Sequence, residues 1–181
     1  MKATDQIIRQ TKKWITDVVV GLNFCPFAAK ELRRGTIHFE VILGADVEGS
    51  LESLGRAFVQ LDEQEAIETT LLVFPDAYSA FDEYLDLVHV AEALLLEMGY
   101  EGIYQIASFH PDYLFEGSTE DDPANYTNRS PYPMLHLLRE QSLSAAIDSY
   151  PGAENIPQRN IEQARKMGLM QMKVLRDACF I

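Results

Sequence analysis

Two short motifs hold the side chains best suited to chemistry. His110 stands in Phe109-His110-Pro111-Asp112, where an apolar stretch gives way to a polar one. Pro111 restricts the backbone of His110 to extended geometry. An imidazole fixed in that way, near a neutral pKa, can act as general acid or base. Cys25 stands in Phe24-Cys25-Pro26-Phe27. Proline is tolerated in the first turn of a helix, so Pro26 reads as the opening of a short helix with Cys25 at its N-cap. A helix N-terminus favours negative charge and can lower a thiol pKa. Together, Cys25 and His110 would make a nucleophile and its base. The competing readings are a buried small hydrophobe for Cys25 and a loop-bracing imidazole for His110. Cys179 reads as packing, and His38 and His89 as structural or surface residues.

A second group of residues could orient a substrate. Asn125-Tyr126-Thr127-Asn128-Arg129-Ser130-Pro131-Tyr132-Pro133 is dense in hydrogen-bond donors. The expected substrate contacts are Asn125, Asn128, Arg129, Ser130, His136 and Arg139. Arg129 suits bidentate pairing with a carboxylate or phosphate, and internal ion pairing is the alternative. An alternative chemistry is a divalent metal held by Asp46, Asp76, His110, Asp112 and Glu116, since carboxylates suit hard cations and imidazole suits transition metals. Asp after a strand is also a common turn residue. No cofactor is implied by a motif.

These residues need elements to bring them together. Apolar spacing predicts a helix over Thr4–Leu22 capped by Thr4, and a short one from Pro26 to Arg34 closed by Gly35. Ile37–Leu43 alternates and reads as a strand, and Thr69–Phe74, apolar on both faces, as a central one. Ser50 would cap a helix through Leu61, and Ser79 one through Met98. Ile103–Phe109 is the third predicted strand. Residues 110–131 are too long and polar for an ordinary connection, yet Tyr113, Phe115 and Tyr126 can anchor them. Ser130-Pro131 would open a helix to about Ile147. Asn155 with Gln158 resembles a capping box for a last helix to Cys179.

Strands separated by helices imply parallel pairing. The expectation is therefore a single α/β domain over 1–181 with a small, mainly parallel sheet of about three strands and helices on both faces. Within it lie a basic helical segment (1–35), an acidic core (36–110), the polar loop (110–131) and C-terminal helices (132–179). An α+β domain with a mixed sheet is the alternative. In open parallel sheets ligands bind beyond the C-terminal strand ends, which is where Asp46, Asp76 and His110 would converge.

Composition limits the partners. The 181 residues carry 15 Lys plus Arg against 28 Asp plus Glu, a net charge of −13. Residues 1–34 hold seven bases and three acids, residues 35–128 twenty acids and only Arg56, and residues 129–181 seven bases and five acids. Such a chain is a poor nucleic-acid binder. No apolar run approaches the roughly 20 residues of a membrane span. The N-terminus lacks a signal-peptide pattern, and two cysteines suit a reducing compartment, so a cytoplasmic location is expected.

Three blocks carry a resemblance: Gly-Leu-Asn-Phe-Cys-Pro-Phe-Ala at 21–28, Ser-Phe-His-Pro-Asp-Tyr at 108–113 and Asn-Tyr-Thr-Asn-Arg-Ser-Pro-Tyr-Pro-Met-Leu-His-Leu-Leu-Arg-Glu at 125–140. They resemble the domain-of-unknown-function 1415 family over nearly the whole chain. The resemblance implies a bacterial, single-domain soluble protein and no inherited activity. From the residues, the first expectation is an enzyme, hydrolase or transferase, acting on a small polar molecule. The other two are the metal-dependent enzyme and a non-catalytic binding or assembly protein.

Overall fold

The computed structural model describes residues 2–181. Helix α1 (Lys2–Trp14) runs directly into a π-helical turn (Ile15–Val20). Helix α2 (Ala28–Arg34), strand β1 (Ile37–Val41), helix α3 (Val47–Glu63), strand β2 (Thr69–Val73), helix α4 (Phe81–Glu97) and strand β3 (Tyr104–Phe109) follow. After the polar loop, which contains a 3₁₀ turn over Pro123–Thr127, come strand β4 (Met134–Arg139), helix α5 (Glu140–Asp148), helix α6 (Ile156–Met167) and helix α7 (Leu169–Asp177).

The sheet has four strands in the order β1-β2-β4-β3 and is mixed. β1 pairs parallel with β2, while β4 lies between β2 and β3 and is antiparallel to both. The α+β alternative is thus the correct class, and the three-stranded, mainly parallel sheet is not. The three expected strands do run in one direction, but β4, read as helix, separates β2 from β3. In Met134-Leu135-His136-Leu137-Leu138-Arg139 the apolar residues are too closely spaced to distinguish a helix from a strand buried on both faces. Alternation decides it. Leu135 and Leu137 enter one core, whereas Met134 enters the other and His136 lies on that second face.

Each face of the sheet carries its own core. Leu72, Phe74, Leu135, Leu137 and Tyr104 pack with Leu54, Phe58 and Leu61 of α3 and with Tyr84, Leu87 and Leu95 of α4. On the other face Leu71, Val73 and Met134 meet Trp14, Ile15 and Val18 of the first helical segment, Ala164 of α6 and Met172 of α7. The buried Tyr84 hydroxyl bridges two strands: it donates to the Met134 carbonyl (2.6 Å) and accepts from the Phe109 N–H (3.0 Å).

Several helix limits differ from expectation for local reasons. Asp46, not Ser50, caps α3, accepting from the Gly49 N–H at 2.8 Å. The N-cap position of α4 is Ala80 rather than Ser79. Asn155 and Gln158 form no capping box, because their amides donate to Glu154 and Glu162. The last helix is broken by Gly168, whose φ of 85° lies outside helical geometry. No helix of the described residues is long and apolar enough to cross a membrane.

Candidate functional site

The C-terminal strand edge, where a site was expected, is closed by its own polar groups. His110 is fully buried and stacks near Tyr84 and Phe81, with ring centroids 5.0 and 5.2 Å away. Its Nδ1 accepts from the Asp112 N–H (3.0 Å), so Nε2 carries the hydrogen and donates to the Tyr78 carbonyl (2.8 Å). Tyr78 has a φ of 56°, a left-handed conformation that is uncommon outside glycine, and this bond holds it there. Burial lowers the His110 pKa. Both ring nitrogens are thus committed to backbone groups.

The proposed substrate contacts on the loop are committed likewise. Buried Asn125 accepts from the Phe115 N–H and donates to the Thr119 carbonyl. Asn128 donates to the Ser108 carbonyl, and Ser130 to that of Tyr132. Arg129 donates to the carbonyls of Tyr113 and Glu120 while lying over the Tyr126 ring. Paired bonds between His110 and the backbone of Asn128 and Ser130 close the two ends of the loop together. The guanidinium of Arg139 lies on the α3 face, donating to the carbonyls of Leu61 and Ile67. Asn125, Asn128, Arg129 and Ser130 shape the loop rather than meeting at a common opening, while Arg139 also lines the cavity described below.

The carboxylates do not form a metal centre. Asp46 caps α3, and the Asp76 carboxylate accepts from the Gly44 N–H. Among the described residues no group of three or more His, Cys, Asp or Glu side chains, Asp112 and Glu116 included, is placed to hold an ion.

A different constellation lies on the opposite face of the sheet. A cavity of about 600 Å³ opens between the π-helical turn, α2, α5 and the sheet, toward the N-terminal ends of β1 and β2. That volume lies within the roughly 300–1,000 Å³ range of small-molecule pockets. Cys25 and His136 both line it, with an apolar wall that includes Trp14, Phe27, Leu71, Phe109 and Leu143. Cys25 is not the N-cap of α2. It lies in the turn before it, and Phe27 is the cap. The turn is fixed from behind by α6: Arg159 donates to the Asn23 carbonyl and Asn160 to the Phe24 carbonyl, both at 2.6 Å. Asn23, with a φ of 54°, makes the reversal that places Cys25 at the cavity.

His136 is the imidazole that shares this cavity with the thiol. The Thr69 hydroxyl donates to the Leu137 carbonyl and therefore accepts from His136 Nε2 at 2.6 Å. This fixes the tautomer and leaves Nδ1 as a lone-pair acceptor. Nδ1 has no hydrogen-bond partner among the described residues, yet it is not sealed off in the interior, so it opens to the cavity that the ring lines. Burial lowers the pKa of this ring to about 4, so it is neutral at pH 7.

The π-helical turn is the other signal of a site here, since such turns occur often at functional positions. Ile15 and Val19 from it line the cavity. Gly21 permits its geometry: a Cβ there would lie 2.3 Å from the Asp17 carbonyl oxygen. A family model described as a protein of unknown function, DUF1415, matches residues 6–174. Comparison with the curated proteins and with the solved structures returned no match.

Proposed function

The chain belongs to the DUF1415 family, and from the cavity we propose that it is a small-molecule enzyme, a hydrolase or transferase, with Cys25 as nucleophile and His136 as acid–base group. The observation that carries the reading is that a thiol, and an imidazole nitrogen without a partner among the described residues, border one cavity of about 600 Å³. His110, first expected in this role, has both nitrogens engaged by the backbone.

In the proposed reaction the Cys25 sulfur attacks an electrophilic carbon of the substrate. The thiol proton passes to His136 Nδ1, directly or through one water, and from there to the leaving group as its bond to carbon breaks. Water, for a hydrolase, or a second acceptor, for a transferase, then displaces the sulfur and restores the thiol. With a pKa of about 4 the ring is a weak base at pH 7, so it holds the thiol proton only in passing on its way to the leaving group. Thr69 keeps Nδ1 as the reactive nitrogen by engaging Nε2.

The test is alkylation of the native protein by iodoacetamide, followed by mass spectrometry. Cys25 is expected to react and buried Cys179 to stay unmodified. His136→Gln is expected to change both the rate and the pH profile of Cys25 alkylation. An unreactive Cys25, or a profile indifferent to His136→Gln, overturns the catalytic reading. The low pKa of His136 favours the second reading, a binding protein in which the ring serves only as a hydrogen-bond acceptor.

A further inference from the structure

We infer that the ligand of this cavity is an uncharged, ring-bearing molecule that presents a hydrogen-bond donor to His136 Nδ1. The inference rests on the cavity being the ligand site, as proposed above, and adds the class of molecule it takes. The walls come first. Trp14, Phe27 and Phe109 contribute aromatic surface, with Trp14 and Phe109 edge to face at 5.2 Å, and Leu71, Leu138 and Leu143 supply aliphatic surface. A planar ring fills such a space with favourable offset or edge contacts.

Polarity comes second. With Nε2 engaged by Thr69, the imidazole offers the cavity an acceptor and no N–H. A hydroxyl or amide hydrogen on the ligand satisfies it, whereas an ether or ester oxygen leaves it unpaired.

Charge comes third. An anion would need a cation to spare, and the two that line the cavity, Lys30 and Arg139, are matched by two acids, Glu31 and Glu68. Lys30 pairs with Glu31 at 3.4 Å, and the Arg139 guanidinium is used by the Leu61 and Ile67 carbonyls. A cation would have the Glu68 carboxylate as its counter-charge, but the rest of the cavity wall is largely apolar and would leave the ion poorly solvated. An uncharged head group avoids both penalties.

Trp14 is the single tryptophan of the chain and part of the wall, so its fluorescence reports occupancy. The full-length protein is titrated at pH 7.5 with phenol, anisole, benzamide, benzoate and benzylamine, with melting temperature as a second readout. Phenol and benzamide are expected to give saturable changes. Anisole, which lacks the donor, should bind several-fold more weakly than phenol, and the two ions more than about tenfold more weakly than benzamide. In His136→Leu the phenol–anisole difference should disappear. The wild-type comparison stands alone if that variant does not fold. Benzoate or benzylamine binding within about threefold of benzamide overturns the uncharged class and leaves the cavity as the ligand site. Anisole binding as well as phenol overturns the donor assignment. No saturable response to any probe overturns this inference together with the cavity as a small-molecule site.

Discussion

His110 and His136 show how partners, not residue type, decide what an imidazole does. Both are kept neutral by burial. His110 gives its N–H to Tyr78 and its lone pair to the Asp112 N–H, so nothing remains for a ligand. His136 gives its N–H to Thr69 and keeps its lone pair at the cavity. Opposite phenotypes follow. His110→Ala should destabilise the fold by about 2–4 kcal/mol, since it empties a packed site and strands the Tyr78 carbonyl and the Asp112 N–H. Cys25 alkylation in the still-folded fraction should be unchanged. His136→Gln should cost at most about 1 kcal/mol, because the amide can still donate to Thr69. Chemical denaturation read beside alkylation separates the two.

Among the elements, β4 and the π-helical turn matter most. β4 is hydrogen-bonded on both sides, while α5, immediately after it, contains no fully buried residue. Hydrogen exchange should therefore find residues 134–139 among the slowest amides and 140–148 much faster. A protection boundary absent near Glu140 would contradict this topology. Gly21→Ala should destabilise by about 1–3 kcal/mol, as the added methyl meets the Asp17 carbonyl and the π-helical turn must rearrange. Thermal unfolding measures it, and an unchanged melting temperature would contradict the geometry described for Gly21.

Local periodicity made β1, β2 and β3 readable in the sequence, together with α3 and α4, to within a few residues. It failed at β4 because that strand is apolar on both faces and passes into α5 without an intervening turn. With β4 missing, the expected ligand edge was wrong as well. His136 was legible as a residue worth naming, but its place on the cavity that Cys25 also lines depends on the pairing of Leu71 with His136, which no local pattern contains. The polar loop was legible as ordered through its aromatics. That its asparagines face inward to its own backbone was not, since the same donors suit a substrate equally well.

At the scale of the molecule, charge and protonation dominate. Among the described residues a single ion pair, Arg165–Asp122 at 2.6 Å, joins a base of the terminal segments to an acid of residues 35–128. It helps hold that carboxyl at a pKa of about 2. The acidic middle is therefore mostly uncompensated, and histidine protonation sets the acid side of stability first. The folded His136 pKa of about 4 lies below its ordinary 6.5. Between those values the unfolded chain binds a proton that the folded chain does not, so stability falls as pH drops from 6.5 toward 4. Above 6.5 the effect is absent. His110 acts in the same direction. The His136 share is at most about 3 kcal/mol, and water in the cavity reduces it. Denaturation across this window should give a shallower pH slope for His136→Gln than for the wild type. Equal slopes would place the lost stability elsewhere.

Under the proposed function the imidazole available for chemistry is that of His136 and not that of His110. Nitrogen NMR of histidine-labelled protein at pH 7.5, recorded with and without phenol, tests it most directly. His110 and His136 are expected as neutral rings protonated on Nε2, with phenol shifting only the Nδ1 resonance of His136. A shift at His110 with His136 unmoved, or a His136 ring already protonated at that pH, would contradict it.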